Sequence, residues 1–285
     1  MSDLPDPERP DEGRGPTGPA LRVGVVGAAG RMGATVCAAV EAAPDLELVA
    51  AVDPAAAGSS LLAPAAGSER RAIRVGADAA VLVDAGADVV VDFTVRDATV
   101  RNLPVYAAAG LHAVVGTTGL DAGDLAAAAG AYPAGGRLGC VVAANFAIGA
   151  VLLMRFAELA APWFDTAEII ELHHDAKADA PSGTALATAQ RMAEASGKWA
   201  PDPTRTETVP GARGALGPGG IRLHAVRLRG LVAHQEVLLG TEGQTLTLRH
   251  DSLDRVSFMP GVLLAVRSVP GRPGLTVGLD SLLGL

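Results

Sequence analysis

The 285-residue sequence has little cysteine, few aromatics and a low content of charge. Two cysteines, Cys37 and Cys140, exclude a disulfide framework and a cysteine-built zinc site. Both stand in apolar runs, where they read as small buried hydrophobes. Aromatics make up 3% of the chain, so a core has to be assembled from Ala, Val and Leu. That composition suits helices laid on a sheet. Only 19% of residues are charged, and 31 acidic against 23 basic residues leave a net charge of -8. A chain with that balance has no general attraction to nucleic acid or anionic membranes, so any anionic ligand needs cations gathered at one place. Residues 1–20, with five prolines, five carboxylates and three glycines, lack the apolar centre of a secretory leader. They are expected to form a flexible tail. Long apolar runs are also lacking. Residues 138–154 come nearest, but 17 residues broken by Gly139, Asn145 and Gly149 fall short of the roughly 20 that cross a bilayer. A buried strand leading through a loop into a buried helix is expected there, in a soluble cytoplasmic protein.

What is present is 49% hydrophobic residues punctuated by 35 glycines and 19 prolines. Residues 21–26, 46–52, 88–92, 112–115 and 137–143 are short, continuously apolar runs. Helical patterns follow the first up to Glu41 and occupy 95–109 and 121–130. Strands alternating with helices, each strand apolar on both faces, predict a parallel sheet covered on both sides. Beyond about residue 165 the pattern changes. The segments 166–172, 205–209, 221–228, 234–239 and 244–249 show partial period-two alternation, with one convincing helix at about 182–196. A second, α+β unit with an open mixed sheet is expected. The glycine-rich segment 211–220 reads as a mobile loop, either a lid or a linker.

Two motifs carry chemistry. The first is the turn Gly27-Ala28-Ala29-Gly30-Arg31-Met32-Gly33 between a strand and a helix. Glycines there let the backbone approach a pyrophosphate whose charge rests on the helix N-terminus. The spacing is G-x-x-G-x-x-G, so the motif gains its weight from context. Asp53, at the end of the second strand, is suited to a ribose hydroxyl. A tight turn without a nucleotide is the competing reading. The second motif is the segment Glu171-Leu-His173-His174-Asp-Ala-Lys177-Ala-Asp-Ala-Pro-Ser182-Gly183-Thr184. Histidine titrates near neutrality and passes protons, while lysine supplies a fixed cation or a proton. Ser182 or Thr184 can cap a helix whose free N–H groups bind an anion. A metal site and a solvated loop compete with this reading. Adjacent histidines in extended chain point to opposite faces, which argues against the metal. Smaller signals stand at the ends of other strands: Asp92-Phe93-Thr94, Gly116-Thr117-Thr118-Gly119 and Asn145-Phe146. Arg255 reads as a salt-bridged surface residue or a site residue. His224, His234 and His250 read as sheet residues.

Together these pieces resemble the 4-hydroxy-tetrahydrodipicolinate reductase family, also called dihydrodipicolinate reductase. The resemblance runs from Arg22 to the C-terminus through V-G-x-x-G-x-x-G-R-M-G (23–33), D-F-T (92–94), G-T-T-G (116–119), A-x-N-F-x-I-G (143–149) and E-x-H-H-x-x-K-x-D-A-P-S-G-T-A (171–185). It implies an N-terminal Rossmann-type domain, here 21–144 joined by 256–285, and a substrate-binding and tetramerisation domain, 145–255. It implies cofactor contacts at Gly27, Ala28, Ala29, Gly30, Arg31, Met32, Asp53, Gly116, Thr117, Thr118, Ala143, Ala144, Asn145 and Phe146. His173 and Lys177 match the proton-handling positions, and His174, Gly183 and Thr184 the substrate-binding ones, with Ser182 beside them. The expected activity is NADH- or NADPH-dependent reduction of a small cyclic dicarboxylate by a homotetramer, in the diaminopimelate route to lysine, with no metal. Two departures stand out. Pro54 follows the acid where some members carry arginine, and Asp175 and Ala176 occupy positions that are basic in others. NADH is therefore expected to serve at least as well as NADPH. A related imine reductase and an idle nucleotide sensor are the alternatives; a sensor would have no need of His173, Lys177 and the anion site together.

Overall fold

The computed structural model describes residues 19–62 and 72–285. Residues 1–18, most of the expected tail, lie outside the described residues. The first half of the chain alternates strand and helix: β1 (Leu21–Val26), α1 (Arg31–Ala42), β2 (Leu46–Val52), β3 (Ser60–Leu62), β4 (Ala72–Gly76), α2 (Ala80–Asp84), β5 (Val89–Asp92), α3 (Arg96–Ala108), β6 (His112–Val115), α4 (Ala122–Ala131) and β7 (Gly139–Val142). α5 (Ile148–Ala160) follows. Then come β8 (Thr166–His173), α6 (Gly183–Ala195), β9 (Ala215–Leu216), β10 (Arg222–Arg227), β11 (Ala233–Thr241) and β12 (Gln244–Ser252). The chain ends with α7 (Met259–Ser268) and β13 (Gly274–Val277).

The strands form two sheets. The first runs β13-β7-β6-β5-β1-β2-β4-β3 and is parallel except for the β3/β4 pair. Its strands are buried on both faces because helices cover both. Val89 and Val91 of β5 face a core shared with α1 and α7, while Val90 faces one shared with α2, α3 and α4. Each fully buried valine or leucine contributes about 1.5–3 kcal/mol relative to exposure. Chain direction across the sheet reverses at β1, which lies between β2 and β5. In a parallel sheet that reversal opens a crevice at the C-terminal strand ends. Cys37 and Cys140 are buried and unpaired, and burial pushes each thiol up to about 12.

The second sheet runs β12-β11-β8-β10-β9 and is mixed, with β8 and β10 parallel and the other pairs antiparallel. One face carries Ile169, Leu223, Val237 and Leu239, which pack on Ala185, Ala189 and Met192 of α6 and on Leu153 and Ala157 of α5. α5 serves both halves, since its Val151 and Met154 belong to the core of the first sheet.

The structure corrects several expectations. Residues 205–209 form no strand, and all five are exposed. Their one large aliphatic side chain, Val209, has no apolar face to join. The segment 211–220 is not wholly loop. Its Ala215 and Leu216 pair with β10 as an edge strand, and residues 218–220 make a helical turn. β3, β4 and α2 escaped the sequence reading. β4 is a short strand between β2 and the edge strand β3, and only its Ile73 and Val75 turn inward.

Candidate active site

The glycine turn lies where β1 ends. Gly27 has a φ of +78°, and a Cβ there would stand 2.7 Å from the Phe93 carbonyl oxygen. At Gly33 an added Cβ would lie 2.0 Å from the Gly27 oxygen, so turn and helix are packed too closely for any side chain. Arg31 is exposed and makes no ion pair among the described residues. Asp53 follows β2, and its carboxylate accepts from Ala29 N at 3.0 Å and Ala55 N at 3.1 Å. The remaining strand ends are tied together from below. Asp92 is fully buried and accepts from Thr94 N and Oγ1 at 3.0 and 2.6 Å and from Tyr106 Oη at 2.8 Å. Thr99 Oγ1 lies 2.7 Å from Thr117 Oγ1, linking this buried knot to the Gly116–Gly119 turn. Thr117 is buried, whereas Thr118 is exposed. Phe93 closes over Gly116 and packs at a tilt of 51° against Phe146, ring centroids 5.7 Å apart, beside Ala143 and the exposed Ala144.

Asn145 connects this crevice to the second sheet. Its Oδ1 accepts from Ala147 N at 2.8 Å, and its Nδ2 donates to Thr184 Oγ1 at 3.2 Å. Thr184 belongs to the first turn of α6. Ser182 caps that helix, its Oγ accepting from Ala185 N at 3.2 Å. The N–H groups of Gly183 and Thr184 make no hydrogen bond among the described residues, leaving two donors at a partly positive helix end. A small cavity of about 30 Å³ lies at this junction, bordered by Asn145, His173, Ser182, Thr184, Gln235 and His250, with His234 and Phe258 nearby.

His173 ends β8, with its Nδ1 2.5 Å from Oε2 of Glu171. Glu171 is completely buried. It also accepts from Ser182 N at 3.0 Å and from both Nη atoms of Arg227 at 2.8 Å. Burial opposes ionisation of Glu171, but hydrogen bonds from Arg227 and His173 outweigh it and hold the carboxyl below its ordinary range. Burial depresses the imidazole of His173; the nearby Lys177 and Arg227 charges add to that, and Glu171 opposes it. His250 is depressed by burial as well.

The structure does not bring every expected residue into the cavity. Lys177 is turned aside, with Nζ 2.7 Å from both carboxylate oxygens of Asp179, and neither it nor His174 borders the cavity. Asp175 pairs with Arg229 at 2.9 Å. Arg255 makes no ion pair among the described residues, contrary to the salt-bridged reading. His224 pairs with Glu168 at 2.7 Å, away from the cavity. His234 and His250, read from the sequence as sheet residues, border the cavity together with Gln235, which the sequence reading did not single out. Their signal was the β11/β12 register, which sets Gln235 opposite His250. A larger cleft of about 390 Å³ lies against β8 and β10, but its Glu168, Asp202, Arg213 and Arg222 are paired with one another. Among the described residues no cluster of three or more His, Cys, Asp or Glu could hold a metal ion. Nor is any helix among them long and apolar enough to cross a membrane.

Residues 21–146 match the family described as dihydrodipicolinate reductase, N-terminus, and residues 149–283 match its C-terminus. A 4-hydroxy-tetrahydrodipicolinate reductase of Nocardia farcinica is 53% identical over 269 residues, covering 93% of this chain and 99% of its own. The enzyme of that name from Mycobacterium ulcerans is 53% identical over 266 residues, covering 93% and 100%. Among solved structures, a dipicolinate-bound dihydrodipicolinate reductase from Paenisporosarcina sp. TG-14 superposes with a TM-score of 0.79 at 40% identity, over 92% of this chain and 99% of that one. A scyllo-inositol dehydrogenase from Lactobacillus casei, 14% identical with a TM-score of 0.58, shares the fold alone. With both of its halves matched over nearly their whole length, the chain belongs to the dihydrodipicolinate reductase family.

Proposed function

We propose that this protein reduces 4-hydroxy-tetrahydrodipicolinate to tetrahydrodipicolinate with loss of water, in the diaminopimelate route to lysine. The observation that carries this reading is the meeting of His173, the Ser182–Thr184 helix start and Asn145 at one cavity. That cavity opens where the C-terminal edge of the parallel sheet reaches the second sheet. The glycine turn fits a dinucleotide, because Gly27 and Gly33 pack the turn tightly against the Phe93 carbonyl and the start of α1, which leaves its backbone bare for a pyrophosphate. When bound, NADH or NADPH supplies the hydride. Gly27, Ala28, Ala29, Gly30, Arg31 and Met32 would hold its pyrophosphate and Asp53 its adenosine ribose. Gly116 to Thr118 and Ala143 to Phe146 would line the nicotinamide end.

The remaining chemistry belongs to side chains of the second half. A substrate carboxylate takes the free N–H groups of Gly183 and Thr184 and the Thr184 hydroxyl, and the helix dipole adds to their pull. His173 presents Nε2 to the reacting carbons and moves the proton there. Lys177 exchanges Asp179, an exposed partner, for the substrate, bringing a full charge and a second proton source. His174 borders the same carboxylate after that movement. Neither half holds the whole site, so the parts divided at about 144/145 and 255/256 close on each other around the ligands. The face of the second sheet turned away from α5 and α6 carries half-buried Ile170, Val226 and Leu238. A partner copy covers that face in a cytoplasmic homotetramer. A steady-state assay of NADH oxidation with the dipicolinate precursor tests the reading, and absence of turnover with that substrate rejects it.

A further inference from the structure

Glu171 is the most heavily used carboxylate near the cavity. Its two oxygens accept from Ser182 N, from both terminal nitrogens of Arg227 and from the ring of His173. Arg227 is spent in the same place. Its Nε donates to the Lys177 carbonyl at 3.2 Å, and its Nη atoms donate to the carbonyls of Val226 at 2.8 Å and Asp179 at 2.6 Å as well as to Glu171. All five guanidinium donors have acceptors, so Arg227 has no donor left for a ligand. The pair touches three separate parts of the site. It reaches the His173 ring, the N-cap of the α6 helix, and the backbone at and just beyond the lysine.

We propose that Glu171, clamped by Arg227, is the positioning residue of this site and fixes the proton of His173 on Nδ1. The inference rests on the reading of His173 given above. An ionised carboxylate accepts and cannot donate, and Arg227 and Ser182 already donate to it. The Nδ1 of His173 at 2.5 Å must therefore carry hydrogen. Nε2 is left as the atom that loses and regains a proton on the cavity side. After Nε2 gives up its proton, the ring is already in the tautomer that Glu171 stabilises, so no ring flip separates one turnover from the next. The groups around the ring are Glu171 on its own strand, Arg227 on β10, Lys177 and Asp179 in the following loop, and His234 and His250 on β11 and β12. Of these, Glu171 alone sits in direct contact with the imidazole as a negative charge.

The test combines a measurement on the parent protein with a variant series. In ¹⁵N-labelled parent protein above the pKa of His173, the ring should show a protonated Nδ1 and a bare Nε2. Glu171→Gln should lower kcat about 10–100-fold, the range seen when a group orienting a histidine is lost, with NADH affinity retained. Its kcat/KM profile should shift to lower pH by about one unit, since the carboxylate no longer supports the imidazolium. In a His173→Ala background the same change should cost little further kcat, because Glu171 acts through the ring. A bare Nδ1 in the parent overturns the proposal, whether or not the variant folds. So does a Glu171→Gln protein with the parent's turnover and pH profile, or a cost fully additive with that of His173→Ala. Near-normal turnover in His173→Ala alone would instead reject the role of His173, and the tautomer measurement would still decide the positioning claim.

Discussion

Asp53 is the side chain from which a cofactor preference is expected. Its carboxylate closes the glycine turn through Ala29 N, and in the proposed reading its remaining lone pairs take the two ribose hydroxyls. A 2′-phosphate would meet that charge with Pro54 as its neighbour and Arg31 as the nearest cation in the turn. One exposed arginine offsets the repulsion only in part. The kcat/KM for NADH should therefore equal or exceed that for NADPH, and a preference above about tenfold for NADPH, or 1.4 kcal/mol, would contradict this. At His173 and Lys177 the expected outcome concerns turnover. Either alanine variant should lose roughly 10²–10⁴-fold in kcat, as for other positioned acid–base groups, with NADH affinity unchanged in a titration. Near-parent turnover in both would reject the mechanism. The residues of this motif were legible because they lie within fifteen consecutive positions. Arg227 was not, since its link to Glu171 spans 56 residues and depends on the register of β10 against β8.

The start of α6 is the element on which substrate affinity is expected to turn. Ser182 stops the helix from fraying, and Thr184 joins it to Asn145 across the crevice. Thr184→Val should weaken pyridine-2,6-dicarboxylate, a planar mimic of the substrate, by about 1.5–3 kcal/mol through a lost charge-assisted hydrogen bond. Competition kinetics would read this directly, and an unchanged inhibition constant would move the carboxylate elsewhere. The helix was legible from its Pro-Ser-Gly-Thr start, as were β1, β2, β5, β6 and β7 of the first sheet from their short aliphatic runs. Segment 205–209 misled because alternation of threonine with charged residues imitates a strand while providing nothing to bury. β4 was overlooked for the opposite reason: two inward aliphatics are too few to announce a strand.

For the whole molecule, the second sheet is covered by α5 and α6 on one face and carries half-buried aliphatics on the other. Sedimentation at micromolar concentration should report four chains, and a stable monomer would leave that face unexplained. The C-terminal segment completes the other sheet. Val262, Ala265, Val266 and Val269 are fully buried against it, and β13 pairs with β7, which lies 135 residues earlier in sequence (Gly274 opposite Gly139). This route constrains biosynthesis. A ribosome releases β7 long before its outer neighbour exists, so the nascent parallel sheet waits with one edge open until the entire second half has been made. Loss of residues 256–285 would then cost more than a tail, because it removes the final stave of a sheet begun some 250 residues earlier at β1.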